Sequence, residues 1–176
     1  MPPHCDSLDG PVVAAARRAL KEGDVSLVLP YVFEEGWAEV RQAFDLARRA
    51  RVAAGAAAEV ADLWFFETVV RVHRAGEGAP YTGLKPAGLD MGPVIPVAEQ
   101  AIAAGDPERL ATLLTARLDG EVRRRFAHLQ HLQAEAGEGL HQARRHVEAM
   151  LGLQVWAHGL YEAIGAPAHA GRHEHD

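Results

Sequence analysis

The chain has 176 residues, the size of one domain with room for a hydrophobic core. Its formal net charge of −6 argues against a general nucleic-acid-binding protein, which needs a net basic face. Thirty-three alanines favour helices over sheets, because alanine is the strongest helix former. Cys5 is the one cysteine and no run of about 18 apolar residues occurs, so we expect a cytoplasmic protein without a disulfide or a membrane span.

Helix signals recur along the whole chain. Asp9-Gly10-Pro11 predicts a helix start, with a capping carboxylate followed by a proline in the first turn, and this helix ends at Gly23. Apolar periodicity and glycine or proline breaks then predict a short helical element at 25–32, long helices at about 35–52 and 56–75, a short helix that ends at about 104, and long helices at about 106–135 and up to 164. The helix at 56–75 is apolar around most of its circumference, which is typical of a buried central helix.

These elements predict an all-α fold, an antiparallel bundle of about six helices with a long Gly/Pro-rich loop. The last two helices are joined by a short turn containing Gly137 and Gly139, so we expect them to form an antiparallel hairpin with their apolar stripes in the core. We place the single domain at residues 1–165 and expect residues 166–176 to form a disordered tail.

The segment His4-Cys5-Asp6-Ser7-Leu8-Asp9-Gly10 gathers imidazole, thiol and carboxylate groups within seven residues. Such groups together suit zinc, nickel, iron or copper. The alternative is an ordinary capped helix start with an incidental cysteine.

The predicted buried helix carries a second group of polar residues, Glu67, Arg71, His73 and Arg74. A carboxylate among aromatic side chains must be paired or functional. The simpler interpretation is an ion pair between Glu67 and Arg71, one helical turn apart.

The third feature is the loop at 76–96, which is rich in glycine and proline. A connection of this length inside a compact domain is usually functional or disordered. Tyr81, Thr82 and Lys85 supply polar groups, and the spacing of a phosphate-binding loop is absent. Because the loop follows His73 and Arg74, we favour an ordered functional loop.

Three stretches together resemble an uncharacterised prokaryotic family, a domain of unknown function. They are HCDSLDGPVV at 4–13, ADLWFFET at 61–68 and HRAGEGAPYTGLKP at 73–86. The resemblance covers most of the chain and implies membership without an activity.

The opening is also similar to the nickel hook of nickel superoxide dismutase, a helical-bundle enzyme whose mature chain begins His-Cys-Asp. His4, Cys5, Asp6 and Gly10 match the hook, whereas Asp9 stands where its second thiolate would be. His4 is also not the first residue, so the amine ligand of the hook is missing. The similarity points to a metal site rather than to that reaction.

We therefore predict a mononuclear site for one transition metal ion (nickel, zinc, iron or copper), serving a redox or hydrolytic reaction on a small molecule. The predicted metal ligands are His4, Cys5, Asp9 and His73, the catalytic residues Glu67 and Tyr81, and the ligand-binding residues Arg71, Arg74 and Lys85. The alternative is a non-enzymatic helical module that binds a partner protein or a small ligand through the loop at 76–96.

Overall fold

The computed structural model describes residues 3–52 and 55–167, and this part of the chain contains helices and no β-strand. Its six α-helices are α1 (Pro11–Glu22), α2 (Trp37–Arg51), α3 (Ala56–Gly76), α4 (Val94–Ala104), α5 (Glu108–Glu135) and α6 (Leu140–Gly165). Short 3₁₀ turns lie at Pro3–Asp6, Val25–Leu27, Leu29–Tyr31, Glu34–Gly36 and Ala136–Glu138. The all-α prediction is confirmed, and each predicted long helix is present within a few residues of its expected bounds.

The chain divides into two compact units, one ending at Met91 and the other beginning at Gly92. The predicted single domain at 1–165 stays a prediction. The predicted tail begins just after α6, and its residues 168–176 lie outside the described part of the chain.

The core of the first unit is formed by α1, α2 and α3. Pro11 occupies the first turn of α1, where its missing N–H leaves no helical hydrogen bond unmade, and Gly23 ends the helix with a left-handed φ of 74°. The rings of Phe44 on α2 and Phe65 on α3 lie 5.8 Å apart. Aliphatic side chains fill the remaining space, and among them Val12, Val13, Val40, Val69 and Val70 are fully buried. Burial of these apolar side chains stabilises the packing of α1, α2 and α3.

Helix α3 is less buried than its composition predicts. It packs against α1 and α2 through its middle and C-terminal turns, and it leaves Val60, Leu63 and Trp64 exposed. We expected this helix to be buried on most sides. That expectation is wrong for these three residues, because α1 and α2 do not cover their side of the helix.

The second unit contains the predicted hairpin of α5 and α6, which pack against each other. The guanidinium of Arg125 lies 4.4 Å from the centre of the Trp156 ring, across the two helices. Leu132 is the one buried side chain in the described part of this unit. Residues of the predicted core stripes are exposed instead, as at Phe126 and Leu151.

None of the described helices is both long enough and apolar enough to cross a lipid bilayer.

Candidate functional site

The N-terminal segment is held against the long loop by backbone hydrogen bonds. Lys85 N donates to Asp6 O at 2.8 Å, and Leu8 N donates to Lys85 O at 3.0 Å. Gly10 makes the tight return into α1 possible, since a Cβ atom there would lie 1.8 Å from the carbonyl oxygen of His4. Its φ of −73° suits any residue, so the requirement for glycine is steric. This part of the loop is therefore ordered by the segment that carries His4 and Cys5.

A buried ion-pair network fixes the same segment to the end of α3. Arg74 is 3% exposed, and its Nε donates to Asp6 Oδ1 at 2.6 Å. Its terminal nitrogen donates to Glu77 Oε2 at 3.0 Å. Glu77 in turn places Oε1 at 3.5 Å from Nε2 of His73. The network thus connects the first turn of the chain with the residue that ends α3.

The charge on Arg74 is stabilised in this position. Burial opposes the charged guanidinium, but the hydrogen bond and charge of Asp6 outweigh it, with smaller contributions from Cys5 and Glu77, so the pKa of Arg74 lies above its ordinary value. A buried charge with two carboxylate partners is structurally satisfied. The structure shows Arg74 holding Asp6, and its predicted role in binding a ligand stays a prediction.

Cys5 and His4 form a close pair beside this network. Cys5 is buried, and its Sγ lies 3.7 Å from Nε2 of His4. Burial raises the pKa of the Cys5 thiol, while the nearby Arg74 charge lowers it and Glu77 and Asp6 raise it again, leaving a net increase. The resting thiol is therefore protonated at neutral pH. The other ring nitrogen of His4, Nδ1, is buried and has no hydrogen-bond partner in the described chain.

His73 is anchored to the 3₁₀ turn Leu29–Tyr31. Its Nδ1 lies 2.7 Å from the carbonyl oxygen of Tyr31. Since a carbonyl oxygen only accepts, Nδ1 carries the proton and Nε2 faces the Glu77 carboxylate. Nε2 makes no hydrogen bond within the described residues.

Tyr81 and Glu67 meet where the loop crosses α3. Burial and, after it, the negative charge of Glu67 raise the pKa of the Tyr81 phenol. Its hydroxyl oxygen is buried and makes no hydrogen bond of standard geometry with a described residue, although the Leu84 backbone and the Glu67 carboxylate lie close enough to affect its pKa. Glu67 itself is exposed, so the premise that its carboxylate needs an internal partner is wrong.

Three further predicted residues have other contacts. Asp9 does not cap α1, whose N-cap is Gly10 without a side-chain cap; its Oδ2 instead accepts from Gly88 N at 2.7 Å. This bond and one from Ser7 lower the pKa of Asp9. Arg71 pairs with Glu39 of α2 and not with Glu67, so the suggested Glu67–Arg71 pair is wrong. The ammonium group of Lys85 donates to Thr82 O at 3.0 Å.

The structure brings His4 and Cys5 together, with Asp6 and Arg74 next to them. Within the described residues, no group of three or more His, Cys, Asp or Glu side chains is placed to hold a metal ion. Asp6 and Glu77 were missed as site residues. Glu77 follows Arg74 by three positions on a helical turn, a spacing that indicates an ion pair. Asp6 lies within the motif at 4–13.

No curated protein matches this chain, and no solved structure matches it either. One family model does, over residues 9–156, and its description reads family of unknown function (DUF6448). The match covers most of the sequence, including the end of the N-terminal motif, α3 and the long loop. The chain therefore belongs to this family of unknown function.

Proposed function

We propose that the first unit binds one transition metal ion through His4 and Cys5. The observation that carries the proposal is the 3.7 Å separation of Cys5 Sγ and His4 Nε2. Two ligands at Zn–S of about 2.3 Å and Zn–N of about 2.0 Å lie about 3.5 Å apart in tetrahedral geometry. The pair therefore has the spacing that a shared ion requires.

The contacts of the neighbouring residues favour this pair over the larger ligand set. Asp6 is bonded to Arg74 and Asp9 to Gly88 N, while His73 donates from Nδ1 to Tyr31 O and turns Nε2 towards Glu77. His4 and Cys5 instead contact each other, through Nε2 and Sγ.

Two protein ligands leave at least two positions on a tetrahedral ion for water or a substrate. Structural zinc sites are closed by four protein ligands, whereas catalytic sites have three and keep the fourth position open, so this pair would need a third ligand from elsewhere. A hydrolytic or redox reaction on a small molecule is thus the activity that fits such a site. Tyr81 is the residue we assign as proton donor, because it packs against the buried core that contains Cys5 and carries a hydroxyl group.

Metal binding must compete with the proton on Cys5. The thiol has to lose its proton to coordinate, and burial makes that loss harder. We therefore expect affinity to increase from pH 6 to pH 9. Arg74, whose charge lowers the pKa of Cys5, assists the ionised thiolate.

The experiment is a comparison of metal uptake by untagged, full-length variants, using Zn²⁺, Ni²⁺ or Co²⁺ alone as the probe. We expect about one equivalent per wild-type chain, and affinity at least about tenfold weaker in Cys5→Ser and in His4→Gln. Asp9→Asn and His73→Gln, which alter residues bound elsewhere, serve as matched controls and should retain wild-type affinity.

Three results would overturn this assignment. If Cys5→Ser takes up as much metal as the wild type, the ion is bound elsewhere. If the control variants lose affinity as well, the ligands are the larger predicted set, which includes Asp9 and His73. A chain ending at Pro167 lacks His169, His173 and His175, and it should bind like the wild type. If neither the wild type nor any variant binds one of the three ions, the metal site is wrong. The alternative then applies, a non-enzymatic module that binds a partner or small ligand through the loop at 76–96.

A further inference from the structure

We propose that the second unit binds a small organic phosphate in a cleft between α5 and α6, independently of the metal site. The cleft has a volume of about 380 Å³, which lies within the range of small-molecule pockets. Its wall combines apolar residues, among them Leu132 and Leu153, with polar ones. We call it the arginine cleft, and its polar residues are Arg124, Arg125, His128, Arg145 and Glu148.

Gly152 leaves space in the arginine cleft on the side of α6. It belongs to the wall and lies in the interior of this 26-residue helix. A Cβ atom built at this position would have no neighbouring atom within 4 Å. Close packing of the two helices therefore does not require the glycine, and a longer side chain here would extend into open space. The position provides a way to fill the cleft without changing its charge.

Two contacts hold Arg125 in place within the wall of the cleft. Its Nε donates to Glu121 Oε1 at 2.8 Å, and its guanidinium lies 4.4 Å from the centre of the Trp156 ring. A guanidinium that is already fixed by a carboxylate and an aromatic ring loses little conformational freedom when its terminal N–H groups bind a ligand. Arg125 is therefore preorganised to donate hydrogen bonds to an oxyanion.

Most N–H donors of the other two arginines are unused within the described residues. Each guanidinium carries five N–H groups, and Glu121 accepts two hydrogen bonds from Arg124. Arg145 Nη1 lies 3.8 Å from Glu135 Oε2, which is beyond hydrogen-bond length. Neither of these two carboxylates lines the cleft, and among the described residues Glu148 is the one carboxylate that does. The polar lining therefore consists mainly of donors, which favours an anionic ligand.

The arrangement of the donors favours a phosphate group over a carboxylate. Arg124 and Arg125 belong to α5 and Arg145 belongs to α6, so both helices contribute donors to the cleft. A carboxylate has two oxygens in one plane, which the fork of one guanidinium satisfies, whereas a phosphate monoester presents three acceptor oxygens in different directions. The leucines of the wall suit an apolar body on the same molecule. The ligand class is therefore a phosphate monoester of a small apolar group.

The test is a calorimetric titration of the full-length chain with phenyl phosphate at fixed ionic strength, with benzoate as the carboxylate probe. We expect saturable binding of phenyl phosphate, with a Kd about tenfold or more below that of benzoate. Arg145→Gln should raise the Kd for phenyl phosphate about tenfold or more, the loss expected for one hydrogen bond to a charged group. Arg117→Gln removes the same charge from an exposed position of α5 outside the cleft, and it should leave the Kd unchanged.

Two further variants separate the cleft from the general charge of the hairpin. Gly152→Leu fills the space and should also raise the Kd about tenfold or more, whereas Gly120→Leu on α5, outside the cleft, should not. Both leucines favour helix over glycine, so circular dichroism should show helix content retained. Glu148→Gln removes the carboxylate of the lining and should lower the Kd, a gain in affinity that loss of structure cannot produce.

The proposal is overturned if phenyl phosphate shows no saturable binding to the wild type at millimolar concentrations. It is also overturned if Arg117→Gln weakens binding as much as Arg145→Gln, which would mean general attraction to a positive surface. If Gly152→Leu binds like the wild type, the ligand does not occupy the cleft. Benzoate binding as tight as that of phenyl phosphate would overturn the assignment to a phosphate group.

Discussion

Arg74 and Asp6, 68 residues apart in sequence, form a buried ion pair with a 2.6 Å separation between Nε and Oδ1. The pair joins the first turn of the chain to the last turn of α3. It also fixes the position of Cys5, since Cys5 precedes Asp6 directly. The orientation of the proposed metal ligands therefore depends on a residue that is itself no ligand.

Removing one partner of this pair should be costly. Arg74→Met leaves the Asp6 carboxylate buried without its cation, and we expect the free energy of unfolding to fall by about 3–5 kcal/mol. Urea denaturation monitored by circular dichroism measures it. The double variant Asp6→Asn/Arg74→Met should lose less than the sum of the two single variants, because it leaves no uncompensated charge.

The exposed pair of Arg18 and Glu22 is the control for that measurement. Their atoms lie 2.8 Å apart, but the side chains are 63% and 47% exposed. Glu22→Gln should change stability by about 0.5 kcal/mol or less. If Glu22→Gln and Arg74→Met lower the free energy of unfolding by similar amounts, burial does not strengthen the pair of Arg74 and Asp6.

Gly10 offers a steric test of the N-terminal fold. A Cβ at this position would clash with the backbone of His4, so Gly10→Ala should cost about 1–3 kcal/mol and loosen the segment. Amide exchange at Leu8 N and Lys85 N, which pair across the segment and the loop, should accelerate. Gly120→Ala within α5, where no atom lies within 4 Å, should instead stabilise by about 0.5–1 kcal/mol.

The helices could be predicted from the sequence, because each is specified locally by periodicity and by glycine or proline at its ends. The pairing of Asp6 with Arg74 could not, since nothing in local spacing states which residues meet across 68 positions. The stripe on α5 was recognised correctly as one face, but its burial was not predictable. Periodicity reveals which residues share a side, and it does not reveal whether a neighbour covers that side, as Phe126 shows.

The raised pKa of Cys5 predicts a defined dependence of stability on pH. The folded thiol keeps its proton above 9.0, where the unfolded thiol loses it, so the stabilisation is complete below about pH 9 and is lost as pH rises further towards the folded pKa. For metal-free protein, the free energy of unfolding should fall more steeply between pH 8.5 and pH 10 in the wild type than in Cys5→Ala. Parallel curves for the two proteins would contradict the burial of the thiol.

Tyr81 should respond differently from a tyrosine whose hydroxyl is bonded. Its hydroxyl makes no hydrogen bond of standard geometry with a described residue, although Leu84 and Glu67 lie nearby, so Tyr81→Phe should leave stability unchanged or raise it by about 1 kcal/mol in the absence of ligand. Thr68→Val is the comparison, since the buried Thr68 hydroxyl donates to Trp64 O at 2.9 Å and its removal should cost about 1 kcal/mol. A loss in Tyr81→Phe as large as in Thr68→Val would mean that the phenol is already satisfied.

X-ray absorption at the metal edge tests the central claim most directly. Full-length protein loaded with one equivalent of Zn²⁺ should show one sulfur neighbour at about 2.3 Å and one imidazole nitrogen at about 2.0 Å, with lighter oxygen scatterers completing the shell. In Cys5→Ser the sulfur contribution should disappear, and in His4→Gln the outer-ring scattering of the imidazole should disappear. A wild-type spectrum with no sulfur neighbour, or with two or more imidazoles, would contradict a site built from His4 and Cys5.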